Sequence, residues 1–348
     1  MFNYFFYYWN IFNIDEKSTS YKVIEYFFEP SIEIQNLIKK YISVRIFSAP
    51  AELAMYALVG FYLGLQKTKI SSLMISTFCL TNIIFSTYFV LALNLEVYGV
   101  ALGTLLSSYL TTIVFLIYTK YFIKKKFDII PKFKKIFIRK KIFKLLYINL
   151  NIFIRTLLLT FAFLYFTFQS SKLGVDFLAT NAILLQFVIL ASFFLDAYAF
   201  STESVVGFSI GRNIKKTFLH VVNNCFQLSF FTSLIISIIY LIFYKLFINF
   251  LTNLEYIRYL AYGFSFWIIL IPPIASFCYQ FDGIFIGSSL TAEMRNSMII
   301  SLFLFILISD FLVKYFNNNG LWLSLIIFMI LRSLTLNFYF SNILKKFK

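Results

Sequence analysis

The sequence predicts an all-α membrane protein that crosses a lipid bilayer about nine times. Hydrophobic residues make up 60% of its 348 positions and charged residues only 13%, whereas a soluble domain has about 45–50% and about 25% of each. Because so few polar residues cannot cover a core in water, we infer that the solvent of this chain is lipid. Its apolar stretches are continuous rather than alternating, which favours helices over a membrane β-barrel.

Nine apolar stretches are long enough to cross the hydrocarbon core, which takes about 20 helical residues. Helix-breaking residues such as Gly174, Gly211 and the segment 317–320 separate several of them. The predicted spans are residues 46–66, 70–94, 97–119, 147–168, 178–211, 218–246, 258–289, 296–315 and 319–342.

The chain before the first predicted span, residues 1–45, has a different composition. Residues 15–45 are mixed in charge and helical in pattern, and we interpret them as an extracellular surface segment. Residues 2–14 are apolar but too short to cross a bilayer at about 1.5 Å per residue. They also lack the basic region and cleavage site of a signal peptide. We expect them to be the end of a helix whose beginning is absent.

The loops between the spans differ in positive charge. Alternate loops and the C-terminal tail carry 20 Lys and Arg residues, eleven of them between Lys120 and Lys144, and the other loops carry four. The positive-inside rule places the basic set, and therefore the C-terminus, in the cytoplasm. The net charge of +16 thus orients the chain towards anionic lipid headgroups rather than towards nucleic acid.

Two parts of the sequence resemble each other at an offset of about 222 residues. Residues 50–64 and 273–287 each begin with Pro and end in the pattern G-x-x-x-G, and a short polar loop and a further helix follow. Both copies start on the same side of the membrane, so the repeat is parallel, as in transporters built from two similar bundles. The glycines expected to let helices pack closely are Gly60, Gly64, Gly283 and Gly287.

The repeat divides the chain into parts of unequal size. The three spans within residues 46–119 match the last three of the six spans within residues 147–348. Symmetry therefore predicts that about three helices are missing before the first part. We expect the basic stretch 120–146 to be a cytoplasmic linker between an incomplete N-terminal lobe and a six-helix C-terminal lobe.

The fifth predicted span contains two acidic residues, Asp196 and Glu203. A charge at the bilayer centre costs about 2.5–3.5 kcal/mol, so such residues are functional candidates. Asn181, Ser192 and Ala199 share their helix face at 100° per residue, and the opposite face is bulky and apolar. This pattern indicates a helix that lines a cavity. We predict that Asp196, Glu203 and Asn181 bind a substrate or a coupling ion.

Arg155, in the fourth span, is the basic residue nearest in sequence that could balance Asp196. Such a charge group could exchange protons, bind Na⁺ or hold a cationic substrate. The alternative for Arg155 is a buried ion pair with Asp196 that only fixes two helices. For Glu203 the alternative is a hydrated position near the cytoplasmic end of its span.

The seventh span contains Pro272 and Pro273, which remove two backbone donors and bend or break the helix. We interpret this segment as a hinge for alternating access, with a static kink as the alternative. Asp282 follows in the same span and is a further candidate for substrate or ion binding.

Three other charged residues are expected outside the binding site. Asp310 and Arg332 would pair with each other or with lipid, and Glu52 would be hydrated. The sequence has no P-loop, no metal-binding His/Cys cluster and no nucleophile elbow. We therefore expect neither an enzyme nor a cofactor; the coupling ion would be H⁺ or Na⁺, with Asp196 and Glu203 as the possible Na⁺ ligands.

Four stretches carry patterns that are typical of one transporter family. The closest match is residues 281–298, which contain F-D-G-I-F-I-G and M-R-N-S-M; the others are residues 45–66, 194–207 and 320–336. Together they resemble the DinF-like branch of the multidrug and toxin extrusion (MATE) family. The similarity extends from about residue 35 to the C-terminus.

The resemblance implies twelve helices in two six-helix lobes that export organic cations or amphiphiles against an inward flow of H⁺ or Na⁺. On that map the first full span here is the family's fourth. We expect a monomer in the plasma (inner) membrane of a bacterium, with membrane lipids and a small organic cation or amphiphile as partners. Two alternatives stay open: a flippase for lipid-linked precursors from the same superfamily, and a truncated remnant that does not transport.

Overall fold

The computed structural model describes residues 32–127 and 138–347, and every regular element within these ranges is helical. A 3₁₀ turn, Ile46–Ser48, joins the first two helices, and a π turn, Tyr88–Ala92, follows the third. The helices are α1 Ile32–Arg45, α2 Ala49–Gly64, α3 Thr68–Thr87, α4 Glu96–Phe127, α5 Arg139–Leu173, α6 Val175–Gly211, α7 Lys215–Leu251, α8 Glu255–Gly263, α9 Ser265–Gly287 and α10 Thr291–Leu344.

The described residues contain eight helical stretches long and apolar enough to cross a membrane. The last of them, α10, has 54 residues and is interrupted at Asn317, whose backbone is not helical (φ 49°, ψ −130°). Its two halves run side by side, as the distance of 2.5 Å between the hydroxyl oxygens of Ser297 and Thr335 shows. Counting the halves of α10 separately gives nine spans within residues 32–127 and 138–347, so the predicted all-α fold with about nine spans is confirmed.

The helices extend beyond several predicted span boundaries. Residues 32–45, which we expected in a surface segment, form α1, and α1 continues through one 3₁₀ turn into α2. At the predicted linker 120–146, α4 continues to Phe127 and α5 begins at Arg139. A hydropathy pattern marks the apolar part of a helix, whereas polar turns at its ends add no such signal. Residues 2–14 lie outside the described residues.

The described residues group into two compact units: the first contains α1–α4 apart from Leu63–Gln66, and the second contains those four residues and α5–α10. The first unit has a small apolar core in which Tyr62, fully buried, packs with Met74 and Phe115. The Tyr62 hydroxyl forms a hydrogen bond of 2.9 Å with the Thr119 hydroxyl.

The second unit has a larger core and contains most of the charged residues that the sequence places inside spans. Its interior is filled by side chains such as Phe166, Phe305 and Trp322, all fully buried. Around this core, α6 packs against both α7 and α9, and α5 packs against α10. The second unit therefore holds the candidate site.

Candidate functional site

A cluster of three charged side chains joins three helices of the second unit. Asp282 of α9 accepts a hydrogen bond of 2.8 Å on its Oδ2 atom from Nη2 of Arg332, in the second half of α10. The same oxygen accepts a second hydrogen bond from Nη2 of Arg155 on α5. Asp282 and Arg332 are buried, with 7% and 5% of their surfaces exposed. The Asp282 carboxylate therefore connects α5, α9 and α10.

This cluster corrects two sequence-based expectations. Arg155 pairs with Asp282 and not with Asp196, which was the pair considered for it. Arg332 also pairs with Asp282, whereas we expected Asp310 or lipid as its partner. Distance along the sequence does not predict these pairs, because residues far apart in the chain meet where helices cross the membrane side by side.

Asp310 and Glu52 also have specific partners. The Oδ1 atom of Asp310 accepts hydrogen bonds from the Tyr165 hydroxyl at 2.6 Å and from the Gln169 amide at 2.5 Å. Glu52, which we expected to be hydrated, forms an ion pair with Arg45, with 3.2 Å between Nη2 and Oε2. Each acid therefore has a neighbour on another helix or turn that satisfies it.

The side-chain carboxyl groups of Asp196 and Glu203, both on α6, form no hydrogen bond or ion pair with any described residue. Both side chains are half-buried. Asp196 lies near enough to interact electrostatically with Asp282, Arg155 and Arg332. The single negative charge of Asp282 does not balance the two positive charges of Arg155 and Arg332. Asp196, which forms no ion pair with them, compensates the remaining positive charge at a longer distance. Glu203, two helical turns farther along α6, has no such basic neighbour in the part of the chain that the structure describes.

The face of α6 that carries both acids packs against α9 over part of its length. A Cβ atom placed on Gly283 would lie 2.4 Å from the backbone oxygen of Ala199, and one on Gly287 would lie 2.4 Å from that of Glu203. Both distances are far below van der Waals contact, so only glycine fits at these positions. The small residues on this face, which we expected to line a cavity, therefore also serve helix packing.

The matching glycines of α2 have a different environment. A Cβ atom on Gly60 or Gly64 would meet nothing within 4 Å among the described residues. Among the described residues, the close packing that the G-x-x-x-G pattern predicted is thus present at Gly283 and Gly287 and not found at Gly60 and Gly64. Small residues permit close approach but do not supply the second helix.

Asn181, a predicted binding residue, belongs to a buried hydrogen-bond network. Its amide nitrogen donates to Ser170 Oγ at 2.8 Å and to Asn318 Oδ1 at 2.7 Å. Its amide oxygen accepts from Trp322 Nε1 at 2.9 Å and from Asn318 Nδ2 at 3.1 Å. The network links α5 and α6 to the turn that divides α10. Asn181 also borders a pocket of about 180 Å³.

We expect Asn181→Leu to lower the free energy of unfolding of the protein in detergent by about 2–6 kcal/mol. The leucine would leave the Trp322 and Asn318 donors buried without a partner, and each such group costs about 1–3 kcal/mol. Asn223→Leu, at an exposed position on α7, is the matched control and should change stability little. Equal losses in both variants would show that the network does not stabilise the fold.

The two prolines lie in a helix that stays continuous. Helix α9 runs from Ser265 to Gly287 through Pro272 and Pro273, so the prolines do not break it. Pro273 cannot donate to the carbonyl of Ile269 four residues earlier, and the Ser237 hydroxyl of α7 donates to that oxygen instead at 2.7 Å. Hydroxyl groups of neighbouring helices often satisfy carbonyls freed in this way. The hinge role of this segment stays a prediction.

Comparison with known proteins shows which family the chain resembles. The sequence model of the MatE family matches residues 152–315. The chain is 31% identical over 298 residues to DNA damage-inducible protein F of Escherichia coli (strain K12). The aligned region covers 86% of this chain and 64% of that protein. The chain is therefore similar in sequence to the MATE family. It is also 26% identical over 308 residues to Protein DETOXIFICATION 43 of Arabidopsis thaliana, over 88% of this chain and 57% of that protein.

Solved structures show the same fold at lower sequence identity. A multidrug resistance MATE family transporter of the MOP superfamily in an outward-facing conformation matches with a TM-score of 0.85 at 16% identity, over 94% of this chain and 75% of that chain. A MOP superfamily transporter from Pyrococcus furiosus matches equally well, with a TM-score of 0.85 over 94% and 74%. With eight apolar helical stretches in its described residues and these matches, the chain is a multi-pass membrane protein. It spans less than two thirds of the length of the two relatives named above.

Proposed function

We propose that this protein is a secondary active transporter of the MATE type that exports organic cations or amphiphiles in exchange for H⁺ or Na⁺. It would act as a monomer in the plasma (inner) membrane of a bacterium, with its C-terminus in the cytoplasm. The main support is the pair Asp196 and Glu203, two half-buried acids that no described residue satisfies. An unsatisfied carboxylate within a span is costly, and binding a proton, Na⁺ or a cationic group would remove that cost.

The neighbourhood of Asp196 suggests how binding could change the conformation. Arg155 and Arg332 are held by one oxygen of Asp282, and Asp196 lies within electrostatic reach of all three. Neutralising Asp196 would strengthen the hold of Asp282 on the two arginines, whereas a charged Asp196 competes for them. A bound ion or substrate would therefore bind two arrangements of α5, α6, α9 and α10 with different affinities. Such a difference is the thermodynamic condition for alternating access.

We expect Asp196→Asn and Glu203→Gln to reduce gradient-driven export at least tenfold while leaving the protein folded. Each change keeps the size of the side chain and removes the group that would take up a proton or cation. The measurement is efflux of a cationic dye from vesicles that contain the purified chain, under an imposed pH gradient or an imposed Na⁺ gradient. The gradient that drives wild-type efflux also identifies the coupling ion.

Asp176→Asn is the matched control, because Asp176 is an exposed acid in the first turn of the same helix. It should transport like the wild type. If Asp196→Asn and Glu203→Gln also transport normally, neither acid takes part in the mechanism.

A second function, translocation of a lipid-linked precursor, is favoured by one observation. Asp282 is paired with both Arg155 and Arg332, and the Nε atom of Arg155 is buried without a hydrogen-bond partner among the described residues. A pyrophosphate group would bind such donors well. This function predicts that Arg155→Gln and Arg332→Gln abolish movement of an anionic lipid, and that the Asp196 and Glu203 variants retain it. Dye efflux that depends on Asp196 would instead support the exporter.

A further inference from the structure

An apolar pocket of about 500 Å³ lies on the side of the second unit, between α7, α9 and α10. Its volume is within the usual range of about 300–1,000 Å³ for ligand sites. Phe230 of α7, Pro273 and Phe277 of α9, and Leu334 of α10 form parts of its wall. None of the charged residues of the candidate site borders it. The pocket is therefore separate from the candidate site.

The pocket opens towards the surrounding lipid. Phe277 and Leu334 are 42% and 50% exposed, and both belong to helices that span the membrane. Between Pro273 and Phe281 the pocket follows α9 for eight residues, or about 12 Å. An elongated apolar molecule from the bilayer can enter it sideways without losing contact with hydrocarbon.

Polar groups occur at only one end of the pocket. Ser333 and Asn337 of α10 are the polar residues of its lining. The same i, i+4 row of the helix continues through Ser341 to Lys345, which is exposed where the helix ends. Lys345 lies eight residues beyond Asn337, about 12 Å along the helix axis. A polar path thus leads from the apolar pocket to a positive charge at the membrane surface.

A second lysine lies at the same end of the bundle. Lys216, in the first turn of α7, is exposed and projects within about 40° of Phe230, the α7 residue of the pocket. The end of α10 is adjacent, because the Phe218 ring lies 6.0 Å from the Phe340 ring and 5.1 Å from the Phe347 ring. Lys346 donates to the Ser288 carbonyl at 2.5 Å, whereas Lys345 donates only a long, exposed hydrogen bond of 3.5 Å to the Oδ1 atom of the neighbouring Asn342. Lys345 and Lys216 are the lysines placed to meet a ligand.

We propose that this pocket binds an anionic phospholipid, with an acyl chain between α7, α9 and α10 and the phosphate at Lys345 and Lys216. An acyl chain matches the apolar wall, and a lipid phosphate matches both the charge and the depth of the lysines. The acyl chain of the lipid would pack directly against Pro273. The bound lipid would therefore contact the one segment of α9 whose backbone lacks consecutive donors.

The test measures how phosphatidylglycerol stabilises the full-length chain, purified in detergent, against heat. For the wild type we expect a saturable rise in Tm with phosphatidylglycerol and a much smaller one with phosphatidylcholine of the same acyl chains. The double variant Lys216→Gln with Lys345→Gln should need about 30-fold more phosphatidylglycerol for half of the effect, since each lysine near a charged lipid surface contributes about 1 kcal/mol. Ile274→Trp, which fills the pocket, should abolish the saturable rise.

Two controls separate a specific site from general surface attraction. Lys140→Gln with Lys141→Gln removes two exposed lysines from the start of α5, and Ile299→Trp enlarges an exposed apolar residue of α10 outside the pocket lining. Both should respond like the wild type. If Ile274→Trp does not fold, Leu334→Trp at the mouth of the pocket replaces it. Equal effects of the two lipids, or equal losses in test and control variants, would overturn the proposal.

Discussion

Asp282→Asn is expected to destabilise the second unit by about 3–5 kcal/mol, the cost of breaking a buried ion pair from one side. The asparagine oxygen can still accept a hydrogen bond but carries no charge. Arg332, with 5% of its surface exposed, and Arg155, with 17% of its side chain exposed, would then be held in the core without a carboxylate. Thermal or denaturant unfolding in detergent measures this loss, and dye efflux should fall with it.

The control for this prediction is Asp310→Asn. Asp310 also lies in a span of the second unit, but it is exposed and its partners are the neutral side chains of Tyr165 and Gln169. Its replacement should cost much less. The double variant Asp282→Asn with Arg332→Gln removes one of the two unpaired charges and should be more stable than Asp282→Asn alone. If all three variants unfold like the wild type, the cluster does not hold α5, α9 and α10 together.

The number and type of spans could be predicted because transfer into lipid depends on each stretch separately. The hydrocarbon core selects about 20 apolar helical residues whatever their neighbours are. Even the turn between the last two spans was visible, since Asn317 and Gly320 interrupt the apolar pattern. In the structure Asn317 has the non-helical backbone, and a Cβ atom on Gly320 would lie 2.1 Å from the Leu312 oxygen.

The partners of the charged residues could not be predicted from sequence spacing. Arg155 was assigned to Asp196 because the two are near in sequence, and Arg332 received no binding role. Depth in the membrane would have been a better guide. Arg155, Asp282 and Arg332 all lie within about ten residues, or about 15 Å, of the same end of their predicted spans, so they occupy one layer of the bundle. Which helices are neighbours in that layer depends on packing, which the hydropathy pattern does not contain.

The second large effect is expected at the glycines of the repeat. Gly283→Ala and Gly287→Ala should each destabilise the protein by about 1–3 kcal/mol, the usual cost of overfilling a well-packed contact. The added methyl group would lie 2.4 Å from a backbone oxygen of α6, and a backbone cannot move aside as a flexible side chain can. Helices α6 and α9 would have to separate around Ala199 and Glu203. The unfolding transition in detergent measures the change.

The repeat itself supplies the control, because Gly60→Ala and Gly64→Ala alter the matching positions of α2. There the new methyl group meets nothing within 4 Å among the described residues, and alanine is better than glycine inside a helix by about 0.5–1 kcal/mol. These variants should be neutral or slightly more stable, opposite in sign to Gly283→Ala. Because Gly287 packs against the backbone of Glu203, Gly287→Ala should also weaken dye efflux more than its stability loss explains. A destabilisation of similar size at all four positions would mean that the sequence pattern, rather than the observed contact between α6 and α9, determines the effect.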